Sequence, residues 1–162
     1  MLFRSNKGQG YNQGIELSTS WAILDELTGF GYFNWQDSQS LGYQLNNPAI
    51  SGMGPMSRMT PLNGMIGLRY TDFTNKWWVQ TDVQMVAAQN RLSADNKWDR
   101  TRIPTPYSPG YVVPTLRLGY EYSKNVNINA SVSNFSNDYY RPLGGGMNAA
   151  GVSGLIQADV KF

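Results

Sequence analysis

The sequence predicts an all-β chain: an antiparallel up-and-down transmembrane β-barrel segment of about seven strands, an incomplete barrel. Three observations predict it. Apolar and polar residues alternate with period two along much of the chain, the pattern of strands whose two faces meet different surroundings. The connections between these runs alternate between short and long, as in outer-membrane barrels, where short turns face the periplasm and long loops face outside. Charged residues make up only 15% of the 162 residues while aromatics reach 13%. A water-facing surface normally carries about a quarter charged residues. Here the polar load falls on Asn, Gln, Ser, Thr and Gly, which suits a sheet with one apolar and one neutral polar face.

The strands follow in order. "IELSTSWAI" sets Ile15, Leu17, Thr19, Trp21 and Ile23 against Glu16, Ser18, Ser20 and Ala22. "TGFGYFNWQD" reads as a strand with ambiguous facing. "MIGLRY" sets Ile66, Leu68 and Tyr70 against Gly67 and Arg69. "WWVQTDVQMVA" places Trp77, Val79, Thr81, Val83 and Met85 opposite Trp78, Gln80, Asp82 and Gln84. "TLRLGYEY" places Leu116, Leu118, Tyr120 and Tyr122 opposite Arg117, Gly119 and Glu121. "VNINASVS" is the clearest: Val126, Ile128, Ala130 and Val132 alternate with Asn127, Asn129, Ser131 and Ser133. A helix would spread those apolar residues around its whole circumference. The closing "GLIQADVKF" alternates Gly154, Ile156, Ala158, Val160 and Phe162 with Leu155, Gln157, Asp159 and Lys161.

Short connections lie near Asp25–Thr28, Asp72–Lys76 and Ser123–Asn125, and long ones near Asp37–Asn63, Gln89–Val112 and Ser136–Val152. Trp21, Phe30, Tyr32, Tyr70, Phe73, Trp77, Tyr120, Tyr122 and Phe162 gather near the short-turn end, where amphipathic rings suit a membrane interface. If the last strand runs inward to Phe162, counting back makes the first of seven run inward too. Single-chain bacterial barrels have an even strand number, and an open sheet in hydrocarbon leaves backbone groups unpaired. Further strands, from a longer product or from other chains, are therefore expected to close the wall. The opening "MLFRSNKGQGYNQG" lacks the apolar core of a secretory signal, so an exported protein of this kind is expected to have its true start elsewhere.

Other function classes find little support. Thirteen basic and eleven acidic residues give a net charge of +2, with no basic run to track phosphates, so nucleic acid is not an expected partner. Cysteine and histidine are both absent, which excludes disulfides, thiolate and histidine metal sites, and the triads that need either residue. No cofactor is expected. Asp25 with Glu26, and Asp82 with Glu121, are acidic pairs without a sign of the cleft that glycoside hydrolysis requires. Gly144–Gly146 lack the Lys-Ser/Thr of a phosphate loop. The sequons at Asn129 and Asn134 are chance matches.

Three stretches resemble a known family: "PMSRMTPLNGMIGLRYTDFTNKWWVQTDVQMVAAQNRLS", "RTRIPTPYSPGYVVPTLRLGYEYSKNVNINASVSNFSNDYYRPLGGGMNAAG" and "GLIQADVKF". In order and spacing they resemble the end of a TonB-dependent outer-membrane receptor barrel. There a strand bearing an Asn-Leu-Phe-like element precedes an Asp-Tyr-Arg-like loop and a glycine-rich stretch. Asn134 and Phe135 stand near the first, with Phe135 where Leu is usual. Asp138, Tyr139, Tyr140 and Arg141 follow, with one extra tyrosine.

The resemblance implies a barrel of about 22 strands, plugged by an N-terminal domain, importing a scarce ligand such as a ferric siderophore, haem or cobalamin. It implies residues 1–162 as the C-terminal part of that barrel, with the plug and the segment that engages the TonB complex outside the chain. The partners it implies are outer-membrane lipid, the remaining strands and the plug, in a Gram-negative-type outer membrane, and it implies no enzyme activity. It marks Gly154, Ile156, Ala158, Val160 and Phe162 as resembling the terminal strand read by the outer-membrane insertase, which an open-edged strand can engage by strand addition.

By alternation, Arg69, Asp82, Arg117, Glu121 and Lys161 line the lumen, and Asp82 with Arg117 form a candidate pair at similar distances from their turns. In the long loops Trp98, Tyr107, Tyr111, Tyr139 and Tyr140 lie near Arg100, Arg102 and Arg141. These are residue types favoured at binding hot spots. They make Trp98, Arg102, Tyr107, Tyr139, Tyr140 and Arg141 candidate ligand contacts. The competing reading is a soluble, aromatic-rich β-sheet binding module of, for example, the carbohydrate-binding kind, and a third is a small self-assembling porin-like barrel. A soluble module would have to bury the apolar face against a second sheet of its own.

Overall fold

The computed structural model describes residues 10–43, 51–103 and 107–162. They form one antiparallel, open sheet. Seven strands make its path: β1 (Gly10–Ala22), β2 (Leu27–Tyr43), β4 (Asn63–Thr71), β5 (Trp77–Val86), β6 (Tyr111–Ser123), β7 (Val126–Ser133) and β8 (Ser153–Val160). Each pairs with the next on the path, so the topology is up-and-down. An eighth, short strand, β3 (Ser51–Pro55), pairs with the far end of β2. The one helix among the described residues is α1 (Ala94–Trp98), whose Ser93 accepts from Asn96 N at 3.1 Å as its N-cap.

Register fixes the two faces. Ile15 pairs with Trp35, Leu17 with Phe33, Gly31 with Ile66, Ile66 with Val83, Thr81 with Leu116, Leu118 with Ala130, and Ala130 with Ile156. Directly opposed residues share a face, so one apolar band runs unbroken from β1 to β8. Nothing among the described residues covers it: Ile66 is 54% exposed, Leu116 37% and Ile156 81%. The buried apolar side chains are Met59, Leu92, Ile103 and Val113. The first three lie in the long connections and Val113 near the loop end of β6, on the inner face. The packed core of this chain therefore sits under its loops, and the sheet is a single layer.

Three sequence expectations need correction. β1 begins at Gly10, before Ile15, and β2 runs on to Tyr43, so the first long connection starts later than Asp37. Part of that connection, residues 44–50, lies outside the described residues, as do residues 1–9 and 104–106. β3 lies within that connection and was not expected. Phe30 and Tyr32 are not at the membrane interface: on β2 the outer face carries Leu27, Gly29, Gly31, Phe33 and Trp35, so Phe30 and Tyr32 point inward. Phe30 covers Gly67, and the Tyr32 hydroxyl accepts from Gln84 Nε2 at 3.3 Å.

The short turns are built locally. In Ile23–Glu26 the amides of Ile23 and Leu24 donate to Leu27 O at 2.8 and 3.1 Å. In Asp72–Lys76 the Asp72 carboxylate accepts from Thr74 N at 3.0 Å, and Asn75 takes φ 58°, a left-handed conformation that Asn tolerates. At the third turn, a bulge between Glu121 and Ser123 leaves Tyr122 unpaired. It interrupts the alternation that would put Tyr122 beside Tyr120.

Candidate functional site

The inner face is polar and internally paired. Arg117 Nη1 donates to Asp82 Oδ1. Arg117 is opposite Gln80 and Asp82 opposite Thr115, so the pair is diagonal across β5 and β6. The Asp82 side chain is 3% exposed and that of Arg117 40%. Gln80 adds a second donor to Asp82 Oδ1 at 3.3 Å, and Arg69 lies near Gln80 Oε1 at 3.5 Å while its guanidinium stacks over Trp78 at 4.0 Å. Farther along, Asn129 Nδ2 and Gln157 Nε2 donate to the two oxygens of Asp159 at 3.1 and 2.7 Å. Asp82 is thus held by an arginine and a glutamine, and Glu121 lies at the far end of β6. This arrangement positions no two carboxylates for acid–base work.

Aromatic rings lie over glycines directly opposite them: Trp21 over Gly29, Phe30 over Gly67 and Trp78 over Gly119. A Cβ at any of these glycines would collide with the ring. The rings shield backbone that has no side chain of its own, and they fix register at the short-turn end.

At the other end the long connections are tied to one another. Asn96 Oδ1 accepts from Ser57 Oγ at 2.8 Å and Arg58 N at 3.3 Å, joining α1 to the segment before β4. Arg141 donates to Asn148 Oδ1 at 2.8 Å and Thr101 O at 3.1 Å, and Tyr140 stacks on Tyr111 with centroids 4.2 Å apart. Burial raises the Tyr111 phenol pKa above its ordinary value, helped by its neighbours Tyr140 and Tyr32.

Asn134 is the centre of the last loop. Fully buried at φ 55°, it donates to Asp138 O at 2.9 Å and Ala150 O at 3.1 Å, and accepts from Asp138 N at 3.0 Å. The resemblance drew attention to Asn134, but its clamping role requires partners sixteen residues away. A cavity of about 260 Å³ opens beneath these loops, lined among others by Arg58, Asn63, Gln84, Tyr111 and Leu143.

The candidate loop contacts divide into two groups. Tyr140 and Arg141 are engaged in the loop framework, and Arg102 pairs with Asp99 at 3.4 Å. Trp98, Tyr139 and Tyr107 are exposed, although the Tyr139 hydroxyl accepts from Asn148 Nδ2. Arg58 lines the cavity without any local sequence signal for it, and Tyr111, expected in a long loop among the aromatics there, lines it from the first position of β6. On β8, Gly154, Ile156, Ala158 and Val160 share the outer face with no strand on the far side among the described residues, and Phe162 follows fully exposed.

Comparison with known proteins places this architecture. The chain resembles the solved structure of the copper transporter OprC, with TM-score 0.77 and 18% identity over 94% of this chain and 24% of that one. It also resembles the ferric-catecholate import receptor Fiu from E. coli K12 in its closed form, with TM-score 0.65 and 17% identity over 96% of this chain and 21% of that one. The chain thus spans about a quarter or less of each of these structures, and at such identity the likeness shows the fold. The comparison with curated proteins found no match. The family model for the TonB-dependent receptor-like β-barrel matches residues 2–135. The chain belongs to the TonB-dependent receptor β-barrel family, as a fragment of such a barrel.

Proposed function

We propose that residues 1–162 form the C-terminal part of the outer-membrane wall of a TonB-dependent importer, and that the chain has no enzymatic role. The observation that carries this reading is the continuous apolar band on a single-layer sheet, open on its outer side among the described residues. The partners are outer-membrane lipid on that face, further strands at the edges of β1 and β8, and a plug domain against the inner face. The TonB complex would be engaged by an N-terminal part outside this chain. The imported ligand is a scarce one of the ferric siderophore, haem or cobalamin type. The structural neighbours named for copper and for ferric catecholate support a metal or metal complex.

Within this reading the Asp82–Arg117 pair stiffens the lumen wall and faces the plug. Trp98, Tyr107 and Tyr139 are the loop residues free to meet ligand, with Arg102, Tyr140 and Arg141 holding the framework beneath them. Gly154, Ile156, Ala158, Val160 and Phe162 serve assembly, since the open edge of β8 can add to a strand of the insertase.

The absence of native cysteine in this chain makes accessibility a clean test. Single cysteines at Ile66, Leu118 and Ile128 on the outer face should resist a water-soluble maleimide in intact membranes. One at Gln84 on the inner face should react. Equal labelling of the two faces would end the proposal.

A further inference from the structure

We infer that the cavity beneath the loops takes the carboxylate group of a small organic anion, held by Arg58. This deepens the transport reading above and rests on it, since that reading turns the inner face toward arriving ligand. Asn63 stands directly opposite Val86, and Val86 opposite Tyr111, across β4, β5 and β6. All three lie on the inner face, and with Gln84 they line one side of the space of about 260 Å³. Arg58 lines it from the connection before β4, and Leu143 from the loop between β7 and β8, which reaches back across the sheet to do so. Segments far apart in sequence thus enclose one concave site of mixed lining, the form that ligand sites take.

The charge of the lining selects an anion. Among the described residues Arg58 is its one cation, and no acidic side chain lines it. The ion pairs among those residues join Arg91 to Asp37, Arg102 to Asp99 and Arg117 to Asp82, and none of them takes up the Arg58 guanidinium. The position of Arg58 is built. Its backbone takes φ 59°, a left-handed conformation uncommon outside glycine. Its N–H donates at 3.3 Å to Asn96 Oδ1, to which Ser57 Oγ also donates at 2.8 Å. Asn96 is buried, so α1 anchors that turn. A Cβ on Gly144 would lie 3.9 Å from Arg58 Cδ, so the arginine stem runs beside the loop that carries Leu143. Further donors are at hand. Asn63 Nδ2 donates to Pro61 O at 2.8 Å and Gln84 Nε2 to the Tyr32 hydroxyl at 3.3 Å, which leaves each amide a second N–H, and the Tyr111 hydroxyl can donate as well. The guanidinium fork matches the two oxygens of a carboxylate. Val86 and Leu143 supply apolar lining, which favours an organic body behind the charge over a bare inorganic anion.

The test uses the protein containing this chain in intact membranes, with Gln84→Cys as its single cysteine. The rate of labelling by a water-soluble maleimide is followed against rising benzoate, its neutral isostere benzamide, and inorganic phosphate. Benzoate should protect the cysteine, with half-protection at a concentration about tenfold below that of benzamide, the low end for hydrogen bonds to a charged group because Arg58 is itself exposed. Phosphate should protect less than benzoate. Arg58→Gln should bring benzoate and benzamide level. Lys97→Gln, an equal charge loss on the neighbouring α1, should leave the preference intact. Equal protection by benzoate and benzamide, protection by neither, phosphate protecting better than benzoate, or a preference that survives Arg58→Gln each overturns the inference; the first three are read with Arg58 in place and need no arginine variant to fold. All four leave the wall reading standing as long as the cysteine at position 84 labels faster than those on the outer face. Labelling no faster there than on the outer face overturns both.

Discussion

Leu116 sits at the middle of the outer face of β6, with Val112 and Pro114 on its loop side and Leu118 and Tyr120 on its turn side. Its neighbours across the sheet are Thr81 and Val132. From Leu116 to Tyr120 is four residues, about 14 Å along a strand rising roughly 3.4 Å per residue. At a tilt of about 40° that becomes about 10 Å of depth, against a half-height of about 12 Å for the apolar band. Leu116→Arg therefore puts a guanidinium near the bilayer midplane, and Tyr120→Arg puts one near headgroup level. The first should cost about 2–4 kcal/mol and the second about 0–1 kcal/mol.

The assay is reversible urea unfolding of the parent barrel from phosphatidylcholine vesicles, followed by tryptophan fluorescence. The alternatives make different predictions. A face solvated by water would tolerate both substitutions within about 0.5 kcal/mol. A face sealed by a second protein layer would penalise both severely, because a buried unpaired charge is costly wherever it lies in a core. Equal costs at the two positions, small or large, would refute a lipid-facing band.

Three further outcomes follow from the inner face and loops. Gly119→Ala should cost about 1–3 kcal/mol by overpacking and should shift tryptophan emission, since its Cβ displaces the Trp78 indole and with it the Arg69 stack; an unchanged spectrum and stability would show that the ring yields freely. Arg117→Leu should destabilise more than the Asp82→Asn/Arg117→Leu double variant, because the single change strands a buried carboxylate with only Gln80 as side-chain donor; strictly additive unfolding energies would remove the coupling. Asn134→Ala leaves Asp138 N and the carbonyls of Asp138 and Ala150 without the amide that joins them, so about 1–3 kcal/mol of loop stability should be lost, and limited proteolysis should cut within residues 136–152 first; unchanged cleavage would show the loop is held elsewhere.

The strands were legible where the two faces meet different solvents. "VNINASVS" alternates cleanly, and β7 occupies that stretch with its apolar set facing out. The facing of β2 was not legible, because Phe30 and Tyr32 alternate with Gly29, Gly31 and Phe33. Both faces hold aromatics there, and the glycine that Phe30 covers belongs to another strand, so no local signal marks the choice. The loop-side extension of β2 through "QDSQS" has no apolar alternation because it rises above the band. β3 is too short and too glycine-rich to show a period. In the site, alternation alone puts Asp82 and Arg117 on one face, whereas the loop ties through Asn96, Asn134 and Arg141 join residues far apart in sequence. Their side chains are ordinary loop types, and only tertiary packing assigns them partners.

The edges of the sheet bear on where the molecule can exist. β8 has eight residues and, among those described, only β7 beside it. In an antiparallel edge strand half the residues direct both N–H and C=O away from the partner, which for β8 means about eight unpaired groups. In hydrocarbon each costs several kcal/mol, on the order of tens of kcal/mol together, more than the whole stability of a typical domain, about 5–15 kcal/mol. In water the same edge costs little, but then the band through Ile66, Leu116 and Ile128 would lie open to water, a patch larger than soluble monomers keep exposed. Neither solvent suits the lone sheet, and only one change satisfies both faces and both edges. Strands added at β1 and β8 within a bilayer pair the backbone and leave the band to lipid. On the proposed wall reading, the alternation that gives this chain its fold is thus matched by strands that continue the sheet on both sides.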